Sequence, residues 1–315
     1  MKAKILLLTL VLFAIVLSSC TTTSHKNAIK VGYLPMVSSL THFVAVESGY
    51  YKDEGLDVQA QQIMTSNLIA QELVAGNIDV AIELSIIPLL KQLEKSPNAA
   101  KLFSISSITS ENGFDGVLVQ SNSQIVKLED IAGKKIGVFP GTTAKNSLYD
   151  IYKKQYPDLA LPICIELDPI VHLQSLANGD IDALFAYEPT LTLGIVENGF
   201  REISSSIYAI QYSPNPIGVG AVNDKWLVEN RETAKAFFKA IDRAVEFIEN
   251  NPIEARRILA KATDLDENIA NEMNIMPLSL STNIDYTNLR GYLEVLKKLG
   301  EINETPSPKD ICIYE

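Results

Sequence analysis

The chain has few histidines and cysteines, which limits the sites it can form. Its 315 residues include only six: His25, His42, His172, Cys20, Cys164 and Cys312. The histidines have no neighbouring cysteine or acidic ligand pattern, so the sequence does not support a metal site. Cys164 lies in a predicted strand and Cys312 near the C-terminus. We therefore expect two separate, partly buried thiols, although an oxidising compartment would allow them to pair.

The chain also lacks the motifs of the common nucleotide-binding and hydrolytic sites. It contains no GxxxxGK[ST] phosphate loop and no GxSxG nucleophile elbow. No other set of residues suggests a catalytic centre, and His42 is more easily interpreted as a residue on a helix face than as a base. We therefore expect a protein that is not an enzyme and needs no cofactor.

Positive charge is scarce. The chain has 27 Lys and Arg against 38 Asp and Glu, a formal net charge of −11. Such an acidic surface repels the phosphates of nucleic acids, so no nucleic-acid partner is expected.

Only the N-terminus carries a long apolar run. Residues 5–17 are apolar, follow Lys2 and Lys4, and at 13 residues are too short to span a bilayer. The pattern is typical of a secretory signal. The following "LSSC" resembles the bacterial lipobox, in which Cys20 is lipidated and becomes the new N-terminus; a plain signal peptide with a chance cysteine is the alternative. We predict a signal peptide at 1–19, a tether at 20–28, and an exported protein anchored to a membrane by its lipid.

Two stretches of the chain repeat each other. "VGYLP" at 31–35 returns as "IGVFP" at 136–140, and "GNID" at 76–79 returns as "GDID" at 179–182. The offsets are 105 and 103 residues, which predicts two copies of one folding unit. Each copy alternates strands and helices, and this order indicates parallel sheets with crossover helices.

Capping signals locate the second helix of each copy. Ser66 is predicted to cap the first and Gly76 to end it in the left-handed conformation. Asp168 and Pro169 predict the start of the second, and Gly179 its end. The inner face of that second helix is expected to contain Ile170, Leu173 and Leu176.

The repeat predicts an α/β protein of two lobes, each with a parallel-rich sheet. Lobe 1 is predicted at 29–110 and 214–315 and lobe 2 at 111–213, with chain crossings at 107–116 and 211–220 that act as hinges. A helical region follows the second crossing, and the repeated spacing of its apolar residues indicates core packing. These residues are Ala234, Phe237, Phe238, Ile241 and Val245.

Ligands of open parallel sheets bind beyond the carboxyl ends of the strands. This rule selects the loops at 36–41, 83–85, 141–143 and 187–190, two in each lobe. The candidate ligand-binding residues in them are Ser38, Ser39, Glu83, Ser85, Gly141, Thr142, Thr143, Tyr187 and Glu188. In "PGTT" a glycine and two hydroxyls precede a helix, which favours an anion or a polar head group.

Each candidate also has a structural interpretation. Thr142, Ser38 and Ser39 could simply cap helices. Tyr187 could stack on a ligand or hydrogen-bond it. Glu188 could accept from an amine, although a solvated loop carboxylate is the more common case for a loop acid.

Several segments together resemble the substrate-binding proteins of ABC importers for nitrate, sulfonates, taurine and thiamine pyrimidine precursors. They include "VAVESGYYKDEGLDV", "LVAGNIDVA", "LEDIAGKKIGVFPGTT" and "LANGDIDALFAYEP", and the likeness runs from about residue 29 to 260. The resemblance implies a type II periplasmic-binding fold, a monomer, one small solute in the cleft, and delivery to a membrane permease.

This sequence departs from some members of that family. Pyrimidine-binding relatives have an Asn-His pair in the first loop, where this chain reads "VSSLTHF", and pyrimidine synthases have a cysteine-rich motif that is missing here. The serine-rich loop is more similar to that of sulfonate-binding members. A binding protein for a sulfonate-, taurine- or nitrate-type solute is therefore the first hypothesis. A pyrimidine-precursor binder and an enzyme of the pyrimidine-synthase or menaquinone-pathway type are the alternatives.

Overall fold

In the computed structural model, residues 28–277 and 279–313 are described, and they form two five-stranded sheets. The first sheet has the order β2-β1-β3-β10-β4 and the second β7-β6-β8-β5-β9. The strands are β1 (Ile29–Tyr33), β2 (Val58–Gln62), β3 (Val80–Ser85), β4 (Ala100–Ile108), β5 (Asp115–Val119), β6 (Lys135–Val138), β7 (Ile163–Glu166), β8 (Ala183–Tyr187), β9 (Arg201–Ser205) and β10 (Asn215–Asn223).

Helices cover both sheets, and three short 3₁₀ turns lie at Val37–Ser39, Leu128–Ile131 and Pro169–Val171. The α-helices are α1 (Leu40–Glu47), α2 (Tyr50–Asp53), α3 (Ser66–Ala75), α4 (Ile86–Lys95), α5 (Thr143–Gln155), α6 (His172–Asn178), α7 (Thr190–Val196), α8 (Ile207–Gln211), α9 (Asp224–Glu229), α10 (Arg231–Asn250), α11 (Pro252–Thr263), α12 (Glu267–Glu272), α13 (Tyr286–Lys298) and α14 (Pro308–Ile311).

The predicted two-lobed α/β fold is confirmed, and each sheet is mixed. In lobe 1, β1 runs parallel to β2 and β3, whereas β10 is antiparallel to β3 and β4. In lobe 2, β6 runs parallel to β7 and β8, whereas β5 is antiparallel to β8 and β9. The antiparallel pairs arise because β5 and β10 enter their sheets directly from a chain crossing instead of through a crossover helix. The exact domain boundaries stay a prediction.

The repeated sequence motifs make the same contacts in both lobes. Asp79 accepts a 2.8 Å hydrogen bond from the backbone N–H of Lys30, and Asp182 accepts one of 2.8 Å from that of Lys135. Each aspartate therefore ties the start of the third strand of its copy to the start of the first.

The repeated glycines are explained by close packing. A Cβ atom at Gly32 would lie 2.5 Å from Ile78 Cδ1, and one at Gly137 would lie 2.6 Å from Ile181 Cδ1. Both isoleucines belong to the "G-x-I-D" motif, so the two halves of the repeat fit together.

Most of the predicted caps are confirmed. Gly76 and Gly179 have φ values of 75° and 77° at the ends of α3 and α6, and Asp168 accepts from the N–H of Ile170. The prediction for Ser66 is wrong by one residue, because Thr65 caps α3 by accepting from the N–H of Leu68 at 3.2 Å.

The predicted inner face of the α6 region is also wrong in part. Leu176 is fully buried, but Ile170 is 87% exposed. The 3₁₀ turn Pro169–Val171 precedes α6 and changes the helical phase, so His172 is buried in that part of the face instead.

The C-terminal helices complete lobe 1. The predicted stripe on α10 packs in the core through Ala234, Phe237, Ile241 and Val245, and the partly buried Phe238 stacks on Phe103. The two thiols are free, as expected, with Cys164 in β7 of lobe 2 and Cys312 buried against β4 of lobe 1. No helix within 28–277 and 279–313 has the length and apolarity to cross a membrane. The predicted signal peptide, tether and Cys20 lie outside the described residues.

Candidate functional site

The four predicted loops lie at the carboxyl ends of β1, β3, β6 and β8, and each leads into a helix; residues 83–85 and Tyr187 still belong to their strands. The helices are α1, α4, α5 and α7, so the loops place four helix N-termini at strand ends, two in each lobe. Backbone N–H groups in the first turn of a helix have no partner within the helix, which makes these positions suitable for a polar solute.

Ser38 and Ser39 lie in the 3₁₀ turn between β1 and α1. They are 7% and 0% exposed, and neither hydroxyl oxygen has a hydrogen-bond partner among the described residues. Neither side chain caps the 3₁₀ turn or α1, so the capping interpretation is wrong. Buried hydroxyls are normally hydrogen-bonded. Two adjacent ones without a partner in the described chain are therefore candidates for hydrogen bonds to a bound solute.

Glu83 interrupts the middle of β3 with an unusual backbone. Its φ is 47°, in the left-handed region, and its side chain is only 5% exposed. A Cβ atom at Gly218 of β10 would lie 2.7 Å from Glu83 Oε2, so the glycine makes the space for this carboxylate. Left-handed conformations of residues other than glycine are uncommon and concentrate at functional sites.

Burial raises the pKa of Glu83 to about 7, an effect that the neighbouring hydroxyls of Ser106 and Ser104 partly offset. In the described part of the chain, Glu83 Oε2 and Ser106 Oγ have no hydrogen-bond partner. A buried carboxylate is costly unless a donor or a cation compensates it. Glu83 is therefore the side chain in these loops that most needs an external partner.

Ser85 ends β3 and precedes α4. Its backbone N–H donates to Ser66 Oγ at 3.0 Å, and its own hydroxyl forms no cap on α4. The half-buried hydroxyl of Ser85 therefore lies at the N-terminus of a ten-residue helix.

In the "PGTT" loop, Gly141 is exposed and has a φ of 110°. Its N–H donates to Glu166 Oε2 at 3.0 Å. Thr143 is half-buried and begins α5. The Gly141 N–H thus already contacts a carboxylate of the protein, which a solute would have to replace.

The Thr142 side chain does not cap α5, contrary to the capping alternative. Its hydroxyl donates to Glu301 Oε2 at 3.2 Å and accepts from Lys91 Nζ at 3.4 Å. Asn146, one turn further along α5, donates to Glu301 Oε1 at 2.6 Å. Because Lys91 and Glu301 belong to lobe 1, these bonds connect the two lobes directly.

Tyr187 is part of an aromatic group at the end of β8. Its ring centroid is 4.4 Å from that of Phe139, and its hydroxyl is 2.5 Å from the hydroxyl of Tyr208. Burial raises the pKa of Tyr187, so the phenol stays neutral. The ring and the hydroxyl of Tyr187 are thus both in contact with other aromatic residues of lobe 2.

Glu188 is 2% exposed, so the interpretation as a solvated loop carboxylate is wrong. Its oxygens accept from the N–H and the hydroxyl of Thr192, at 3.1 and 2.9 Å, and from the N–H of Asn274 at 3.1 Å. Burial raises the pKa of Glu188, and these hydrogen bonds partly offset that effect. Asn274 lies in lobe 1, so Glu188 forms a second contact between the lobes.

The structure adds functional candidates that sequence reasoning missed: Lys91, Ser106, Asn146, Asn274 and Glu301. Glu301 is 4% exposed and accepts from Lys91 Nζ at 2.5 Å. It lies more than 150 residues from Thr142 and Asn146, and no strand-end rule or motif points to it. No turn signal in the sequence points to Ser106 either. It lies near Glu83 because it pairs with Gly218 of the neighbouring strand β10.

The buried position of His42 does not suit a catalytic base. It is 3% exposed, its Nδ1 is 3.0 Å from the hydroxyl of Tyr51, and its ring stacks on Tyr33. Burial lowers the pKa of His42 to about 4, so the ring is neutral at physiological pH. It is a core residue of α1, as the sequence suggested.

A cavity of about 620 Å³ lies elsewhere, on lobe 1 between α4 and the C-terminal segment. Leu90, Leu93, Ile302 and Ile311 supply apolar walls. None of the nine predicted ligand-binding residues lines it, so it is separate from the strand-end loops.

Comparisons with known proteins agree with this architecture. A family model described as "NMT1/THI5 like" matches residues 38–255. The putative aliphatic sulfonates-binding protein of Bacillus subtilis (strain 168) is 25% identical over 297 residues, which cover 89% of this chain and 84% of that protein. The yeast (Saccharomyces cerevisiae) protein named 4-amino-5-hydroxymethyl-2-methylpyrimidine phosphate synthase THI13 is 21% identical over 248 residues, 74% of this chain and 70% of that protein.

The crystal structure of the periplasmic aliphatic sulphonate binding protein SsuA from Escherichia coli has the same fold. Its TM-score is 0.74 at 12% sequence identity, and the match covers 91% of this chain and 92% of that chain. The two lobes thus form a periplasmic-binding-protein fold, and since the family model matches more than half of the residues, the chain belongs to the NMT1/THI5-like family.

Proposed function

We propose that this protein is the solute-binding component of an ABC importer and captures a small polar or anionic solute of the sulfonate, taurine or nitrate type. The observation that carries the proposal is the pair of buried hydroxyls of Ser38 and Ser39 at the carboxyl end of β1, which have no hydrogen-bond partner among the residues that the structure describes. The similarity to an aliphatic sulfonates-binding protein supports the same class of solute.

The mechanism is binding with lobe closure, without a chemical step. Solute contacts from lobe 1 would come from Ser38, Ser39, Glu83 and Ser85, and those from lobe 2 from the loops at 141–143 and 187–188. A solute that contacts both lobes favours the closed form by its difference in affinity for the two forms. A permease would then recognise the closed form.

Export and anchoring belong to the same proposal. We infer that residues 1–19 are removed, that Cys20 carries a lipid, and that the monomeric protein stays at the membrane surface beside its permease. Cys20→Ala should abolish labelling by a palmitate analogue and release the protein from membranes. Unchanged labelling of the variant would show that the lipid is attached elsewhere.

The similarity to a yeast pyrimidine phosphate synthase keeps two further functions open. A binding protein for a thiamine pyrimidine precursor would bind the pyrimidine without changing it, whereas an enzyme of the synthase type would convert it. Incubation of each bound candidate with the protein, followed by mass spectrometry of the solution, separates the two. Turnover at saturating solute would contradict the transport function.

A thermal-shift screen of sulfonates, nitrate, pyrimidines and amino acids tests the proposal directly. A solute at 100 times its dissociation constant adds about 2.7 kcal/mol to the free energy of unfolding, which corresponds to a shift of a few degrees. Isothermal titration with the Ser38→Ala and Ser39→Ala variants should then show weaker binding, because each hydroxyl would lose its solute contact. Unchanged affinity in both variants would place the solute elsewhere.

A further inference from the structure

We propose that the solute is a small zwitterion whose protonated amine binds Glu83 and whose acidic head binds at Ser38 and Ser39. This inference rests on the proposed function and narrows its solute class, since nitrate and simple alkanesulfonates have no such amine.

The backbone at Glu83 holds the carboxylate in place at a cost. A φ of 47° is rare for a residue with a side chain, and it occurs here where the register between β3 and β10 shifts, between Ala81 and Leu84. A Cβ atom at Gly218 would lie 2.7 Å from Glu83 Oε2, so the carboxylate fills a space that a side chain at position 218 would close. Such strain persists where the position of the side chain matters for function.

Glu83 differs from the two other buried acids near the contacts between the lobes. Glu301 accepts from Lys91, Thr142 and Asn146, and Glu188 accepts from Thr192 and Asn274. Glu83 Oε2 has no hydrogen-bond partner among the described residues, and burial, which the hydroxyls of Ser106 and Ser104 only partly offset, is the main cause of its raised pKa. A hydrogen-bond donor or a cation from outside the described chain would therefore be a suitable partner for Glu83 Oε2.

The other end of the solute is argued from the adjacent turn. The 3₁₀ turn at Val37–Ser39 packs against β3, the strand that carries Glu83. Its two buried hydroxyls have no protein partner within the described chain and stand at the N-terminus of α1, where a negative group is favoured. Glu83 would accept hydrogen bonds from a protonated amine of the solute, and Ser38 and Ser39 would donate to its acidic head. These two groups are the opposite ends of one short zwitterion.

The test compares taurine with ethanesulfonate, which lacks the amine, by isothermal titration at pH 8. Wild-type protein should bind taurine at least about tenfold more tightly, the factor expected for a hydrogen bond to a charged group. Glu83→Gln should remove most of this preference. Glu232→Gln, which changes an 87% exposed acid on α10, is the matched control and should retain it.

Equal binding of taurine and ethanesulfonate by wild-type protein, or an unchanged preference in Glu83→Gln, would overturn the inference. Tight binding of an aminopyrimidine in place of taurine would do so as well, because that solute is no zwitterion. With equal binding, or with an unchanged preference in the variant, the protein still binds a solute of the proposed class, so the proposed function stands. Tight binding of an aminopyrimidine in place of taurine would instead favour the pyrimidine-precursor alternative. Failure of every solute in the thermal-shift screen would contradict the proposed function, and the inference would then fail with it.

Discussion

At the scale of the residue, Glu83 is a buried carboxylate whose charge depends on the groups packed around it. Its carboxylate is buried, and its ionised form is disfavoured for that reason. The groups that face it are the backbone of Gly218 on the neighbouring strand β10 and, across β10, the hydroxyls of Ser104 and Ser106 on β4. These neighbours are uncharged, so they do not compensate the negative charge of the carboxylate.

The pH dependence of stability should therefore contain a contribution from Glu83. Its pKa is about 7 in the folded protein against 4.5 for an ordinary glutamate. The unfolded chain loses the proton first as the pH rises, so the free energy of unfolding falls between about pH 4.5 and 7, by about 3 kcal/mol in total. Glu83→Gln should remove this fall, and its stability relative to wild type should be higher at pH 8 than at pH 4.5. Urea unfolding of the solute-free proteins measures it.

Two controls make that measurement specific. Glu232→Gln changes an exposed acid and should leave the pH dependence of wild type unaltered. Asp115, whose pKa burial also raises to about 7, is present in both proteins and cancels in the comparison. Parallel curves for wild type and Glu83→Gln would mean that Glu83 titrates normally in the fold.

At this scale the sequence predicts the candidate site only as loop positions. Strand ends can be read from apolar runs, so the loops that hold Ser38, Glu83 and Thr142 were found. The partners of these residues were not, because Ser106 and Glu301 reach them through sheet pairing and lobe contact, which link positions distant in the chain. Burial of Glu188 was missed for the same reason, since Asn274 of the other lobe covers it.

At the scale of the element, the repeat is explained by pairs of residues that depend on each other. Gly32 in β1 has no side chain because Ile78 occupies the space above it, and Gly137 and Ile181 repeat this arrangement in β6. Local signals of this kind are contained within about 50 residues, so the strands and the glycine caps could be predicted from the sequence. The phase of the α6 region could not, because a 3₁₀ turn and an α-helix have similar starting residues.

Gly32→Ala should destabilise lobe 1, by about 1 kcal/mol, because its Cβ would displace Ile78 Cδ1. Ile78→Val deletes that carbon and should be less harmful in the Gly32→Ala background than in wild type. Unfolding free energies of the two single variants and the double variant give the coupling between the sites. The cycle at Gly137 and Ile181 is the matched test in lobe 2. Strictly additive effects in both lobes would show that the repeat is not maintained by this contact.

At the scale of the whole molecule, two of the contacts between the lobes in the described chain involve buried carboxylates. Glu301 of lobe 1 binds Thr142 and Asn146 of lobe 2, and Glu188 of lobe 2 binds the backbone of Asn274 in lobe 1. Beside the second contact, α7 of lobe 2 packs against α12 of lobe 1. These contacts are made by residues of the protein itself, so we expect them to contribute to the free energy that holds the lobes together.

Glu301→Ala should therefore shift the protein toward an open form. It removes the acceptor of both hydrogen bonds to α5 and leaves Lys91 without this carboxylate. Small-angle scattering should show a larger radius of gyration for the solute-free variant, and its solute affinity should be weaker because less of the protein is closed before binding. Thr142→Val deletes one hydroxyl but keeps the Asn146 bond, so its effect should be smaller in both measurements.

Glu94→Gln is the control for this experiment, since the hydrogen bonds that the Glu94 carboxylate accepts in the described chain come from Asn303 and Glu304, within lobe 1. It should leave the radius of gyration and the affinity unchanged. Because Glu301 also binds Lys91 inside lobe 1, Glu301→Ala will lower the melting temperature in any case. A lower melting temperature with an unchanged radius and affinity would therefore reduce Glu301 to a structural residue of lobe 1. A larger radius together with weaker binding would establish that the contact between the lobes sets the resting position of the cleft.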